Sequence, residues 1–151
     1  MATSGNGLLR TAGRWLLGVA LAGVGVTHLT TAREEFQAQV PAWMPVDADL
    51  VVVASGVIEV ALGAALVVDR RHREAIGWLT AGFFVAIFPG NVAQYVEGTD
   101  AFGLDTDRAR LTRLFFQPVL VAWALWSTGA WRAWRRSRGE HDTAGSRSRD
   151  E

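Results

Sequence analysis

A chain of 151 residues carrying 15 basic and 15 acidic side chains, half of it hydrophobic, has room for one domain and lacks the positive excess that a nucleic-acid surface requires. It contains no cysteine, which removes disulfides and thiolate chemistry from its repertoire. All 15 basic residues are arginine, a distribution that matters below.

Residues 1–14 are polar and glycine-rich and are expected to form a flexible N-terminus. Four apolar stretches follow, at about 15–32, 50–68, 75–96 and 114–131. A hydrocarbon core about 30 Å thick takes roughly 20 helical residues at about 1.5 Å each, the length that these stretches offer. Backbone groups cannot go unpaired in lipid, so each stretch must be helical, and short connections make neighbours antiparallel. The expected fold is therefore all-α, an integral membrane four-helix bundle over residues 15–134, followed by a disordered polar tail at 135–151. A soluble helical protein would show polar faces at a period of 3.6, and these stretches have almost none. The first stretch, preceded by arginines and ending in LTTA, imitates a secretory signal; we expect it to be retained, since its removal would leave three helices.

Arginine sets the expected orientation. Eleven of the 15 flank the first stretch, fill the DRRHRE connection or follow the fourth stretch, whereas Arg33, Arg108, Arg110 and Arg113 lie on the opposite side. The positive-inside rule then places both termini in the cytoplasm of a bacterial-type, multi-pass membrane protein. Trp15, Trp78, Trp131 and Trp134 fall near the inner ends of their helices, as an aromatic belt would.

Small residues indicate how the helices meet. Gly18, Ala22 and Gly25 mark a face of the first helix, and Gly56 and Gly63 a face of the second, where Ser55 and Glu59 stand four apart. Gly82, Ala86 and Gly90 form a flat stripe on the third, expected to admit another helix and permitting a homo-oligomer. The first outer connection, TAREEFQAQVPAWMPVDAD, carries Phe36, Val40, Trp43 and Met44, with Pro41 and Pro45 forcing extended backbone before each. It either closes a pocket as a lid or rests among lipid headgroups.

Polar residues concentrate in the outer half: His28, Ser55, Glu59, Asn91, Gln94 and Gln117, with Arg113 or Arg110 able to reach in from the fourth helix. A charge at mid-bilayer costs about 2.5–3.5 kcal/mol on insertion scales, so Glu59 requires either protonation or a partner such as His28. Pro89 removes the donor for the Val85 carbonyl and bends its helix, Gly90 admits a close neighbour, and Pro118 reads as a first-turn adjustment. Two readings follow, a network that fixes helix register and a binding site. His28 is alone in its helix, with His72 and His141 elsewhere, so no metal site is expected. No catalytic motif is present, and no catalytic residue is assigned.

The ordered motifs G-V-x-H, V-P-A-W-M-P, S-G-V-x-E, F-P-G-N and R-x-x-x-Q-P resemble the DoxX-like membrane proteins over about residues 15–132. His28, Pro41, Trp43, Pro45, Gly56, Glu59, Pro89, Asn91, Arg113 and Gln117 carry the resemblance. It implies a four-helix integral membrane protein whose relatives include the small DoxD-type subunit of thiosulfate:quinone oxidoreductase, a maturation protein of methylamine utilisation, and partners in membrane oxidoreductase assemblies. The expectation that the resemblance implies is a redox-associated protein, such as a membrane subunit of an oxidoreductase, that holds a quinone or similar lipophile and meets a membrane or secreted redox partner. Gln117 or Asn91 would donate to a quinone carbonyl, and Glu59 with His28 would exchange protons. The alternative is a non-catalytic scaffold or assembly factor, sensitive at Trp43 rather than at Glu59. Solute transport is disfavoured by the small size of the bundle.

Overall fold

Long apolar runs satisfy their backbone groups internally, and here they do so as helices. In a computed structural model that describes residues 3–147 other than 102 and 104, the chain forms α1 (Thr3–Leu29), α2 (Arg33–Gln37), α3 (Ala48–Val68), α4 (Arg73–Glu97), α5 (Asp107–Thr128) and α6 (Ala130–Arg147). No strand occurs among the described residues. Three helices are long and apolar enough to cross a membrane, at Gly5–Leu29, Ala48–Val68 and Arg73–Glu97. The first two turns of α5 carry Arg108, Arg110 and Arg113, which lowers its apolar character.

Local chemistry explains the boundaries. Asp47 caps α3 by accepting from the Leu50 N–H at 3.1 Å, and Thr106 caps α5 by accepting from the Ala109 N–H at 3.2 Å. Gly98 ends α4 and Gly129 ends α5 in the left-handed region, at φ 66° and 87°, where an L side chain is strained. Gly129 is followed at once by α6, so the fourth apolar stretch is divided at that residue instead of continuing to Trp131.

The helices pack as two antiparallel pairs. Along α1 and α3, Gly18 lies opposite Gly63 and Gly25 opposite Gly56, so that a Cβ on Gly63 would stand 2.5 Å from the Gly18 carbonyl oxygen. Along α4 and α5, Gly77 meets Thr128 and Gln94 meets Arg113. Leu17, Leu21, Leu66, Ile76, Ala81, Phe84 and Ala124 form the core that joins the pairs. Outside it, α1, α3, α4 and α5 all expose large apolar side chains, among them Val19, Val57, Leu79 and Phe115, a surface suited to lipid contact.

Three expectations change. Residues 3–14 continue α1 instead of remaining flexible, because tertiary contacts hold them: the Arg10 guanidinium donates to the Trp126 carbonyl at 2.9 and 2.6 Å, and Trp123 Nε1 donates to the Gly13 carbonyl at 3.0 Å. The tail expected to be disordered is helical as far as Arg147, with the Trp131 and Trp134 rings 4.9 Å apart and Arg138 above Trp134. Residues 1, 2 and 148–151 of those two segments lie outside the described residues. Finally, the stripe on α4 receives no helix, since a Cβ on Gly82 would meet nothing within 4 Å and one on Gly90 only the Gln39 carbonyl. The rotation of α4 is set instead by Thr80, Phe84, Asn91 and Gln94, which point inward.

Candidate functional site

Between the two pairs lies a cavity of about 580 Å³ whose walls are mainly apolar, with Leu21, Val52, Phe83, Ile87 and Leu120 among them. The connection after α1 covers one end of it, contributing Phe36, Gln39, Val40, Pro41, Trp43 and Met44. Its anchor is a fork from Arg33 to the Asp49 carboxylate, joined by Gln37 at 2.6 Å from the same group. The connection thus takes the lid position rather than only spreading over the surface.

His28, Ser55, Glu59, Asn91, Arg113 and Gln117 all line this cavity. The glycines of the α1–α3 crossing make the space for two of them. A Cβ on Gly56 would stand 2.9 Å from the His28 Cβ, and one on Gly25 would stand 2.8 Å from the Glu59 Cβ, so each helix gives way to the functional side chain of the other. His28 Nδ1 lies 2.8 Å from Glu59 Oε2 and 3.0 Å from the Val24 carbonyl oxygen. One ring nitrogen carries at most one proton, so it can donate fully to only one of these acceptors. Glu59 Oε2 consequently has no aligned hydrogen bond although its residue is 4 % exposed. Phe36 stacks on the imidazole, with ring centroids 3.3 Å apart.

A second polar group comes from α4 and α5. Gln117 donates through Nε2 to the Phe84 carbonyl and accepts through Oε1 from Asn91 Nδ2 at 3.0 Å. The carbonyl that it reaches is that of Phe84, next to the Val85 carbonyl deprived of its donor by Pro89. Nearer the lid, Arg113 donates to Gln94 Oε1 at 3.1 Å and to Gln39 Oε1 at 3.0 Å, tying α5 to α4 and to the lid. Gln94 in turn donates to the Thr99 carbonyl at 3.3 Å, and it stands behind Arg113 instead of on the cavity wall. Arg110 pairs with Asp100 and Asp107, so of the two arginines only Arg113 reaches the cavity.

Residues 17–128 match the family described as "Domain of unknown function (DUF8561)". The chain belongs to that family. The matched domain runs from Leu17, the first residue on the cavity wall, to Thr128, the last of α5, and so includes the whole lining but not α6. No curated protein and no solved structure matches the chain.

Within the domain, the positions singled out for structure serve different ends. Pro41, Pro89 and Gly90 line the cavity, Gly56 lies at the α1–α3 crossing, Trp43 borders the cavity while remaining 67 % exposed, and Pro45 is exposed away from it. The sequence pattern singles out neither Gln39 nor the stacking role of Phe36. Gln39 stands beyond the end of α2, where its backbone N–H donates to the Phe36 carbonyl at 3.1 Å, so helical periodicity gives no signal that the two share a face. Among the described residues no group of three or more His, Asp or Glu side chains is arranged to hold a metal ion. The arrangement suits a largely apolar ligand with hydrogen-bond acceptors.

Proposed function

We propose that this is a multi-pass membrane protein, crossed by α1, α3, α4 and α5 with both termini cytoplasmic, whose central cavity binds a quinone or a similar lipophilic molecule for a redox partner. The observation that carries the reading is convergence. The buried polar side chains His28, Glu59, Asn91 and Gln117, together with Arg113, surround one otherwise apolar space of about 580 Å³, within the range of roughly 300–1,000 Å³ usual for small-molecule sites. The arginine asymmetry and the exposed Phe115, Phe116 and Val119 of α5 support the fourth crossing and the orientation. The ordered motifs shared with DoxX-like proteins support an association with oxidoreductases.

The two carbonyl oxygens of a quinone would accept from the amide N–H groups of Asn91 or Gln117 and from Arg113. Reduction to the quinol takes two electrons and two protons. The electrons come from an external redox protein, and the chain's part is to position the ring and to pass protons through Glu59 and His28. Mass spectrometry of lipophiles retained by the detergent-purified protein tests this. A quinone near one per chain is expected, lost or stripped of its pH dependence in Glu59→Gln and His28→Ala. A folded protein that retains none, or variants that retain it unchanged across pH, would reject the site, and cross-linking to a protein partner through the Trp43 region would then support a scaffold.

A further inference from the structure

A second cavity, about 860 Å³, is an elongated apolar groove on the outer side of α4 and α5. Val85 and Phe88 form one bank, and Val121, Ala122 and Leu125 the other. From Gln117 to Trp126 it follows α5 for nine residues, about 14 Å at the helical rise. Val85, Trp126 and Trp131 are each more than two-fifths exposed, so the groove is open along its side.

One end of this groove is strongly basic. Arg10 and Arg132 line it, and Arg73 at the start of α4 acts on Arg10 with the same sign of charge. Arg10 cannot swing away to relieve the repulsion, because two of its nitrogens donate to the Trp126 carbonyl. Among the described residues, none that lines the groove is acidic. Trp131 borders the basic end, where an indole suits the boundary between hydrocarbon and headgroup. An apolar channel ending in clustered arginines complements a molecule that is apolar along its length and anionic at one tip. An aqueous anion would leave the channel unused, and an uncharged lipid would leave the arginines without a counter-charge.

We infer that this groove seats one acyl chain of an anionic phospholipid, with the lipid phosphate held between Arg132 and Arg10. The inference rests on the membrane reading above; Gln117 lines both spaces, whereas Ala122, Arg132 and Arg10, on which the test turns, do not line the quinone cavity.

Native mass spectrometry of the full chain in detergent, supplied with phosphatidylglycerol and phosphatidylcholine of identical chains, provides the test. One phosphatidylglycerol per chain is expected in preference to phosphatidylcholine. Arg132→Gln, at an exposed position, should lower that preference about fivefold, the effect of one arginine near a lipid headgroup. Ala122→Trp, which fills the groove from an exposed position, should remove the bound lipid while leaving thermal unfolding and any retained quinone unchanged. Equal binding of the two lipids, an unaltered preference in Arg132→Gln, or full competition by soluble glycerol phosphate would overturn the inference. So would a native dimer that Ala122→Trp dissociates, because a second copy would then occupy the groove.

Discussion

The two helix pairs are held together by different means. Where α1 crosses α3, glycines face backbone: Gly18 against the Gly63 carbonyl and Gly25 against the Gly56 carbonyl, with side-chain polarity at the two ends, His28 beside Glu59 at one and Arg14 donating to the Asp69 carbonyl at 3.1 Å at the other. Where α4 crosses α5, side chains bridge the gap through Gln117 to Phe84 and Asn91, and through Arg113 to Gln94. The first crossing depends on the absence of atoms along its length, whereas the second does so only where Gly77 meets Thr128 and otherwise depends on hydrogen bonds. A glycine crossing has no room for a ligand, whereas a crossing bridged by long side chains leaves space beside it. The cavity therefore opens between the pairs, with its His28–Glu59 contact supplied by one and its amides by the other.

The largest effect that separates these modes is expected at Gly63. Gly63→Val sets a branched side chain against the Gly18 carbonyl and the Ala22 N–H, which are backbone atoms unable to rotate away, and should destabilise the protein by about 1–3 kcal/mol in thermal unfolding in detergent. Gly82→Ala on α4, where an added Cβ meets nothing within 4 Å, should be neutral or stabilise by up to about 1 kcal/mol through helix propensity. Equal losses at both sites would show that the stripe on α4 is packed and not free as described.

An intermediate effect is expected at Gln117. Gln117→Leu leaves the Asn91 amide without its acceptor and the Phe84 carbonyl without its side-chain donor, and should cost about 1–2 kcal/mol. Asn91→Ala removes one interhelical bond only and should cost about 0.6 kcal/mol, the usual worth of such a bond in a membrane. Denaturation of the two variants side by side would sharpen the account of the polar crossing, and a reversed order would break it.

The smallest effect concerns the α3–α4 connection that joins the pairs. Asp69 accepts from the backbone N–H of His72 at 3.0 Å and of Arg71 at 2.8 Å, with His72 Nδ1 2.8 Å from its other oxygen. The His72 backbone N–H above all, and then its side chain, hold the Asp69 carboxyl below its ordinary value. Because the folded value is the lower one, the stabilisation is complete above an unfolded pKa of about 4 and is lost as pH falls through the folded value. Asp69→Asn should flatten that acid-side loss in a pH series of melting temperatures, by a small amount because the group is solvent-exposed and screened.

Much of the α1–α3 pair was legible in the sequence. Glycines at 18, 25, 56 and 63 signal a close crossing by their spacing alone, and Glu59 amid an apolar run had to face another helix. The α4–α5 pair was less legible, because Gly82, Ala86 and Gly90 form an equally regular stripe that meets no helix. Periodicity reports that a face is flat, and it does not report which of several faces a neighbour selects. The lid was harder still, since the approach of Gln39 to Arg113 spans 74 residues and no local pattern encodes it.

What the amino-acid order determined by itself was the helical character of the apolar runs, three of them long enough to cross a bilayer, and the collection of polar groups toward one end. Both follow from local chemistry: unpaired backbone is forbidden in lipid, and charge is expensive there. Only the tertiary structure decided that Arg113 and not Arg110 enters the cavity, that Phe36 stacks on His28, and that residues 3–14 are helical. Those outcomes depend on the rotation of each helix about its axis. That angle is fixed by contacts summed over the whole molecule, with no single segment holding enough of them to set it.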